Sequence, residues 1–245
     1  MRDIALVDTF NLRDLGGYPT VDGRHVRWRR LFRGAGLQRL DGDDLEMVRA
    51  LGIVTAIDLR TDGEVEATGT YPVGRLPATF HHLPMIERIW DLDGLDPGAL
   101  AHDYLVDRYR DMLAEGAPTI ATIMDLLTRP GALPAAFYCA AGKDRTGVLA
   151  ALVLGALGVE PAAIVADYHL SKERVERIRA RALAASGAGA SAMVAQPPAF
   201  MQAPAETMQL LLAWIDEVHG STPGYLASIG VAPATVDALR AALLG

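Results

Sequence analysis

Cysteine is almost absent, since the 245 residues include only Cys139. A single thiol excludes a disulfide within the chain, and it excludes any zinc or iron–sulfur site built from several cysteine ligands of one chain. A chain of this length, with 51% hydrophobic residues, can bury a core large enough to fold without such cross-links. The composition therefore predicts a globular fold held by hydrophobic packing.

The chain also lacks a positive charge excess and a long apolar run. Its net charge is −7, which argues against nucleic-acid partners because these select basic surfaces. The longest uncharged apolar run, residues 147–159, is shorter than the ~20 residues that span a bilayer. The N-terminal residues lack the basic start of a signal peptide. We expect a protein that does not span a membrane and is either cytoplasmic or exported without a conventional signal peptide.

Strand-like and helical patterns alternate along the sequence. Strands are predicted at residues 25–32, 53–59, 79–83 and 135–139. Helices are predicted after the capping residue Asp41, at 96–127 with a break near Gly116, and at 146–157, 205–218 and 233–244. This order predicts an α/β fold with a mostly parallel central sheet and helices on both faces. We expect one domain over residues 1–245, with residues 170–203 as a lid-like insertion that contains a mobile small-residue stretch at 185–191.

The most informative segment, residues 138–147, reads YCAAGKDRTG. A cysteine followed six positions later by an arginine means little alone, because 21 of the 23 basic residues are arginines. The context adds information, since Cys139 ends an apolar strand, Gly142 lies inside the loop, and a helix begins near Arg145. A strand, a short loop and a helix N-terminus in this order are typical of an anion-binding loop.

The chemistry of the segment fits phosphate transfer to sulfur. Arg145 can fold back and donate two parallel hydrogen bonds to phosphate oxygens, while loop N–H groups and the helix dipole face the same anion. This positive field stabilises the thiolate of Cys139, and Thr146 can donate a hydrogen bond to the sulfur when it leaves. The predicted phosphate-binding residues are Ala140, Ala141, Gly142, Lys143, Asp144, Arg145 and Thr146.

The pattern C-x5-R-[ST] is the signature loop of cysteine-dependent phosphatases. Its form here resembles that of the bacterial tyrosine phosphatases related to mycobacterial protein tyrosine phosphatase B. Other segments are similar to landmarks of that family in the same order, so that the resemblance covers nearly the whole chain: residues 11–17, 31–33, 51–60, 82–84 and 224–226. The resemblance implies a tyrosine phosphatase-like fold, hydrolysis of phosphotyrosine and, in some members, of phosphoserine, phosphothreonine or phosphoinositides. The implied partner is a phosphorylated protein or a phosphoinositide.

Two features of the motif bear on substrate and turnover. Only two lysines occur in the chain, and the resemblance implies that Lys143 attracts the additional phosphates of an inositol lipid. The family usually has histidine immediately before the nucleophile, whereas this chain has Tyr138. Because tyrosine carries no positive charge, we expect a less stabilised thiolate and reduced turnover.

The general acid is not unique in the sequence. Tyrosine phosphatases often supply it from an aspartate after a proline, but the corresponding residues here, 82–85, read HLPM. Asp144 inside the loop is the first candidate, because an acid held against a bound phosphate tends to keep its proton. Asp58, at the end of a predicted buried strand, is the second. Loop positions that rank below these two are Asp91, Asp93 and Asp96.

The leading interpretation is a phosphatase in which Cys139 and Arg145 act together by double displacement, without a metal or another cofactor. A phosphate-binding pseudophosphatase with negligible turnover is an alternative that Tyr138 suggests. A rhodanese-like sulfurtransferase is a second alternative, although its catalytic loop usually spaces cysteine and arginine differently.

Overall fold

The computed structural model describes residues 2–6, 11–90, 101–184 and 202–245. Its strands are β1 (Arg13–Asp14), β2 (Leu31–Ala35), β3 (Thr55–Asp58), β4 (Thr79–His82) and β5 (Ala135–Cys139). They form one sheet in the order β1-β2-β5-β3-β4. Only β1 is antiparallel to its neighbour, whereas β2, β5, β3 and β4 run parallel. The predicted mostly parallel sheet is confirmed.

The helices are α1 (Gly42–Arg49), α2 (Asp62–Thr68), α3 (Ala101–Glu115), α4 (Ala117–Thr128), α5 (Asp144–Ala156), α6 (Pro161–His169), α7 (Ser171–Ala184), α8 (Ala205–His219), α9 (Thr222–Ser228) and α10 (Pro233–Leu243). The predicted cap of α1 is present, because the Asp41 side chain accepts a hydrogen bond from the backbone N–H of Gly42. The predicted break lies at Gly116, between α3 and α4. Within the described ranges, no helix combines the length and apolar character needed to cross a bilayer.

Alternate residues of β5 point to opposite faces of the sheet, as the pleat requires. Phe137 and Cys139 join the larger hydrophobic cluster, which contains side chains of α3, α5 and α8. Ala136 and Tyr138 join the smaller cluster, in which Leu45 of α1 takes part. Helices therefore cover both faces, as predicted, and the cysteine belongs to the face with the larger core.

The predicted strand at residues 25–32 is wrong in its bounds, because β2 begins only at Leu31. Residues 28–30 form a turn in which Arg29 adopts a φ of 59°, a left-handed conformation that ends strand pairing. Val26 makes an isolated bridge to Leu244 instead. The helix predicted from Thr146 begins at Asp144. The expected mobility of residues 185–191 lies outside the described residues, and the lid-like role of residues 170–203 stays a prediction.

Candidate active site

Cys139 lies at the carboxyl end of β5, and residues 140–143 connect it to α5. Its side chain is buried, and its carbonyl accepts a hydrogen bond from the backbone N–H of Gly36 at 2.9 Å. Ligands of parallel α/β sheets bind at this edge, outside the carboxyl ends of the strands. The sequence motif therefore folds into the strand, loop and helix that it predicts.

Glycines at two motif positions are required by close contacts. Gly142 has a φ of +65°, and a Cβ there would lie 2.5 Å from the carbonyl oxygen of Gly34. A Cβ on Gly147 would lie 2.9 Å from the ring of Tyr168. The loop is therefore pressed against β2 on one side, and α5 is pressed against α6 on the other.

Side chains from outside the loop hold its carbonyl groups. Asn11 donates from Nδ2 to the carbonyl oxygens of Ala141 and Gly142, at 3.1 and 2.9 Å. Arg33 donates from Nη2 to the Gly142 carbonyl at 2.8 Å. In a planar trans peptide the N–H points opposite to the C=O, so the amides of Gly142 and Lys143 face away from these donors. This orientation is the one that a backbone anion nest needs.

A buried ionic cluster lies behind these anchors. Asp167 of α6 accepts from Arg13 Nε at 2.9 Å, from Arg33 Nη1 at 2.5 Å and from the Tyr18 hydroxyl at 2.8 Å. Burial lowers the pKa of Arg33 to about 10, and the charge of Arg13 acts in the same direction, while Asp167 and an ionised Cys139 oppose it. Burial alone would raise the pKa of Asp167, but the two arginines hold it well below its usual range. Arg33 and Asp167 therefore both stay charged at neutral pH.

Arg145 is held by a different carboxylate, that of Glu64 in α2. Its Nη2 lies 2.8 Å from Glu64 Oε1, and its Nη1 pairs with Oε2. Glu64 also caps its own helix, because Oε2 accepts from the Thr61 N–H at 2.9 Å. Burial would raise the pKa of Glu64, but its hydrogen bond with Arg145 and the charge of that arginine lower it. The predicted phosphate clamp is therefore ordered by an acidic partner that sequence analysis missed.

Asp144 stands in the first turn of α5 with its side chain 24% exposed. Its Oδ1 accepts from the Tyr109 hydroxyl at 2.6 Å and lies 3.2 Å from Lys143 Nζ. The Lys143 ammonium also donates to the carbonyl oxygen of Gln202 at 2.9 Å. The first candidate acid is thus both partly open to solvent and held by buried groups.

Asp58 has different surroundings, because its carboxylate is fully buried. It accepts from Arg60 Nη2 at 2.6 Å and from the Tyr138 hydroxyl at 2.8 Å. Tyr138 therefore points to the sheet face opposite to Cys139 and belongs to an Asp58–Arg60 network. Its effect on the thiolate stays a prediction.

The remaining predicted residues fall into three groups. Ala140 and Ala141 are partly exposed at the loop. Thr146 is fully buried, and its hydroxyl has no hydrogen-bond partner among the described residues. Asp91, Asp93 and Asp96 lie outside the described residues, so their low rank as acids stays a prediction.

Sequence reasoning missed four residues that surround the loop. Glu64 carries a local signal, since T-D-G-E at residues 61–64 reads as a capping box. Tyr109, Asp167 and Tyr168 carry none, because they come from helices that only the fold brings to the motif.

Comparison with known proteins agrees with this geometry. A sequence model described as the tyrosine phosphatase family matches residues 4–245. The chain belongs to this family. Like its named relatives, it is thus a phosphoric monoester hydrolase of the tyrosine phosphatase type.

Two curated relatives are similar along most of the chain. The triple specificity protein phosphatase PtpB of Mycobacterium tuberculosis is 31% identical, with 98% of each chain covered. A putative tyrosine-protein phosphatase of Cupriavidus necator is 32% identical, covering 91% of this chain and 82% of its own. Among solved structures, Pseudomonas aeruginosa TpbA in complex with pTyr matches at 15% identity and a TM-score of 0.33, covering 89% of this chain and 88% of that chain.

Proposed function

We propose that this phosphatase hydrolyses phosphotyrosine, and also phosphoserine, phosphothreonine or phosphoinositides, through a phosphocysteine on Cys139. The observation that carries the proposal is the loop itself. A buried cysteine at a strand end is followed by a loop whose carbonyl groups are held from behind and by an arginine in the first turn of the next helix. Nucleophile, amide donors and a guanidinium are thereby concentrated at one edge of the sheet.

The first step is attack of the Cys139 thiolate on phosphorus while the bond to the leaving oxygen breaks. Charge on the three peripheral oxygens is stabilised by the loop amides and the Arg145 guanidinium. In the second step water attacks phosphorus, the P–S bond breaks, and the Thr146 hydroxyl, which has no partner in the described part of the chain, donates to the departing sulfur. The two displacements return the enzyme to its starting state.

We assign the general acid to Asp144 rather than to Asp58. Asp144 is partly exposed and directly follows the loop, in the first turn of α5, where a carboxyl group can reach a bound ester. Asp58 is fully buried, and Arg60 and Tyr138 occupy its oxygens. Its carboxylate therefore supports the strand end from the opposite face of the sheet.

The experiment is hydrolysis of p-nitrophenyl phosphate with EDTA present, with and without vanadate, by wild type and Cys139→Ser. We expect activity that resists EDTA, is inhibited by vanadate and is lost in the variant, with an expected loss of at least ~10³-fold. Turnover that survives in Cys139→Ser overturns the proposal, and phosphate binding without turnover in wild type identifies a pseudophosphatase.

The substrate range is tested with Lys143. The Lys143 ammonium donates to the Gln202 carbonyl, and we propose that a second phosphate group of a phosphoinositide headgroup attracts it. Lys143→Met should therefore lower kcat/KM for a phosphoinositide more than for a phosphotyrosine peptide. Equal losses on both substrates contradict a headgroup role.

A further inference from the structure

The carboxylate of Asp144 ends a chain of two buried tyrosine hydroxyls. Tyr109 of α3 donates to Asp144 Oδ1 at 2.6 Å, and the hydroxyl oxygens of Tyr109 and Tyr168 lie 2.7 Å apart. Both tyrosines are at most 1% exposed, and their rings meet edge-on with centroids 6.2 Å apart. Helices α3 and α6 therefore converge on one carboxylate of the phosphate-binding loop.

These contacts distinguish the two oxygens of Asp144. The Tyr109 hydroxyl and the Lys143 ammonium both meet Oδ1. A neutral carboxylic acid has one hydroxyl and one carbonyl oxygen, and the oxygen that accepts from outside donors is best suited to be the carbonyl. The proton of the acid form then resides on Oδ2, the oxygen left for the substrate.

We propose that Tyr109, supported by Tyr168, is a positioning residue that places the acidic proton of Asp144 on Oδ2. The inference rests on the proposed function and on Asp144 as its general acid. In the first displacement the Oδ2 proton passes to the leaving oxygen as its bond to phosphorus breaks. In the second, Oδ2 takes a proton from the attacking water as the P–S bond breaks, so protons balance over the cycle.

Tyr109 keeps its own proton throughout. Burial and the neighbouring negative charge of Asp144 raise its pKa well above the usual value. The hydroxyl can therefore donate to Oδ1 whether Asp144 is ionised or neutral, while Tyr168 donates to the Tyr109 oxygen. One fixed hydrogen bond thus serves both steps.

The experiment compares a substrate that needs protonation with one that does not. Phenolate is a poor leaving group, whereas p-nitrophenolate leaves readily without a proton. Because kcat/KM reports the first displacement alone, we expect Tyr109→Phe to lower kcat/KM about tenfold on phenyl phosphate and less than about threefold on p-nitrophenyl phosphate. Asp144→Asn should show the same selectivity with a larger loss, and Tyr168→Phe the same selectivity with a smaller loss.

A matched control is Tyr225→Phe, which removes another buried hydroxyl that donates to the Leu113 carbonyl at 2.8 Å. Losses in Tyr109→Phe that are equal on the two substrates, or that match those of Tyr225→Phe, overturn the inference. The dependence of the loss on the leaving group is the readout that a purely structural role of Tyr109 does not change. Activity that is independent of Cys139 overturns the proposed function instead, so the two failures are distinguishable.

Discussion

Two arginine–carboxylate arrangements adjoin the loop and differ in exposure and charge. Behind the loop, Asp167 bridges Arg13 and Arg33, and these side chains are 0–1% exposed. Next to the loop, Glu64 pairs with Arg145 where solvent reaches the site, and these side chains are 12% and 10% exposed. We call the Glu64–Arg145 pair the mouth pair and the Asp167 arrangement the rear cluster. The first arrangement has two cations for one anion, whereas the second is balanced.

This difference in exposure distinguishes an ion pair that must stay intact from one whose carboxylate another anion can replace. Charges that are fully removed from water need their partners at all times, because an uncompensated buried charge costs several kcal/mol. A pair at the mouth can exchange one oxygen ligand for another, because a phosphate group offers the same acceptors as a carboxylate. The rear cluster therefore supports the loop, and we propose that the mouth pair keeps the Arg145 guanidinium ordered until an anion arrives.

The largest expected effect comes from removing the anion of the rear cluster. Asp167→Asn leaves Arg13 and Arg33 buried without their carboxylate, so we expect the free energy of unfolding to fall by about 3–5 kcal/mol. Urea denaturation at pH 7 measures it. Asp22→Asn is the control, because the Asp22–Arg24 pair is roughly half exposed and its loss should leave the midpoint unchanged. Similar urea denaturation midpoints for both variants would mean that the rear cluster stabilises the fold no more than the half-exposed Asp22–Arg24 pair does.

The fold could largely be predicted from local pattern, and the rear cluster could not. The apolar run at residues 135–139 predicts β5, and the glycine that follows α1 predicts the end of that helix, because each signal lies within a few neighbouring residues. Asp167 is 154 positions from Arg13, and no spacing rule joins them. The short helices α2 and α9 were also missed, since seven residues show too little periodicity to identify a helix.

The next effect concerns the mouth pair. Glu64→Gln keeps a residue able to complete the capping box but removes the negative charge beside Arg145. We expect inorganic phosphate to inhibit the variant about three- to tenfold more tightly, because the guanidinium loses its charged competitor. Inhibition constants against p-nitrophenyl phosphate measure this. Weaker inhibition would instead show that Glu64 acts mainly by orienting Arg145. Glu66→Gln, an exposed exchange on the same helix, should leave the constant unchanged.

The candidate site was partly predictable for the same reason. Cys139, Gly142 and Arg145 lie within one short motif, so that a single loop brings them together. The sequence ranks Asp144 before Asp58, but the burial of Asp58 and its hydrogen bond with Tyr138, which support this order, are visible only in the fold. Side-chain competition of this kind is decided by tertiary neighbours, which local spacing does not encode.

The smallest expected effect is the change in the free energy of unfolding that the Glu64–Arg145 pair causes at acidic pH. Burial would raise the pKa of Glu64, but the hydrogen bond and charge of Arg145 lower it on folding. Its ionised form therefore stabilises the fold above the unfolded value of about 4.3, and this contribution is lost as the pH falls below it. Glu64→Gln has no such proton to take up, so its free energy of unfolding should decrease less steeply than that of wild type between about pH 5 and 3. Urea titrations at each pH measure both slopes, and parallel slopes would mean that the ionised mouth pair adds no stability.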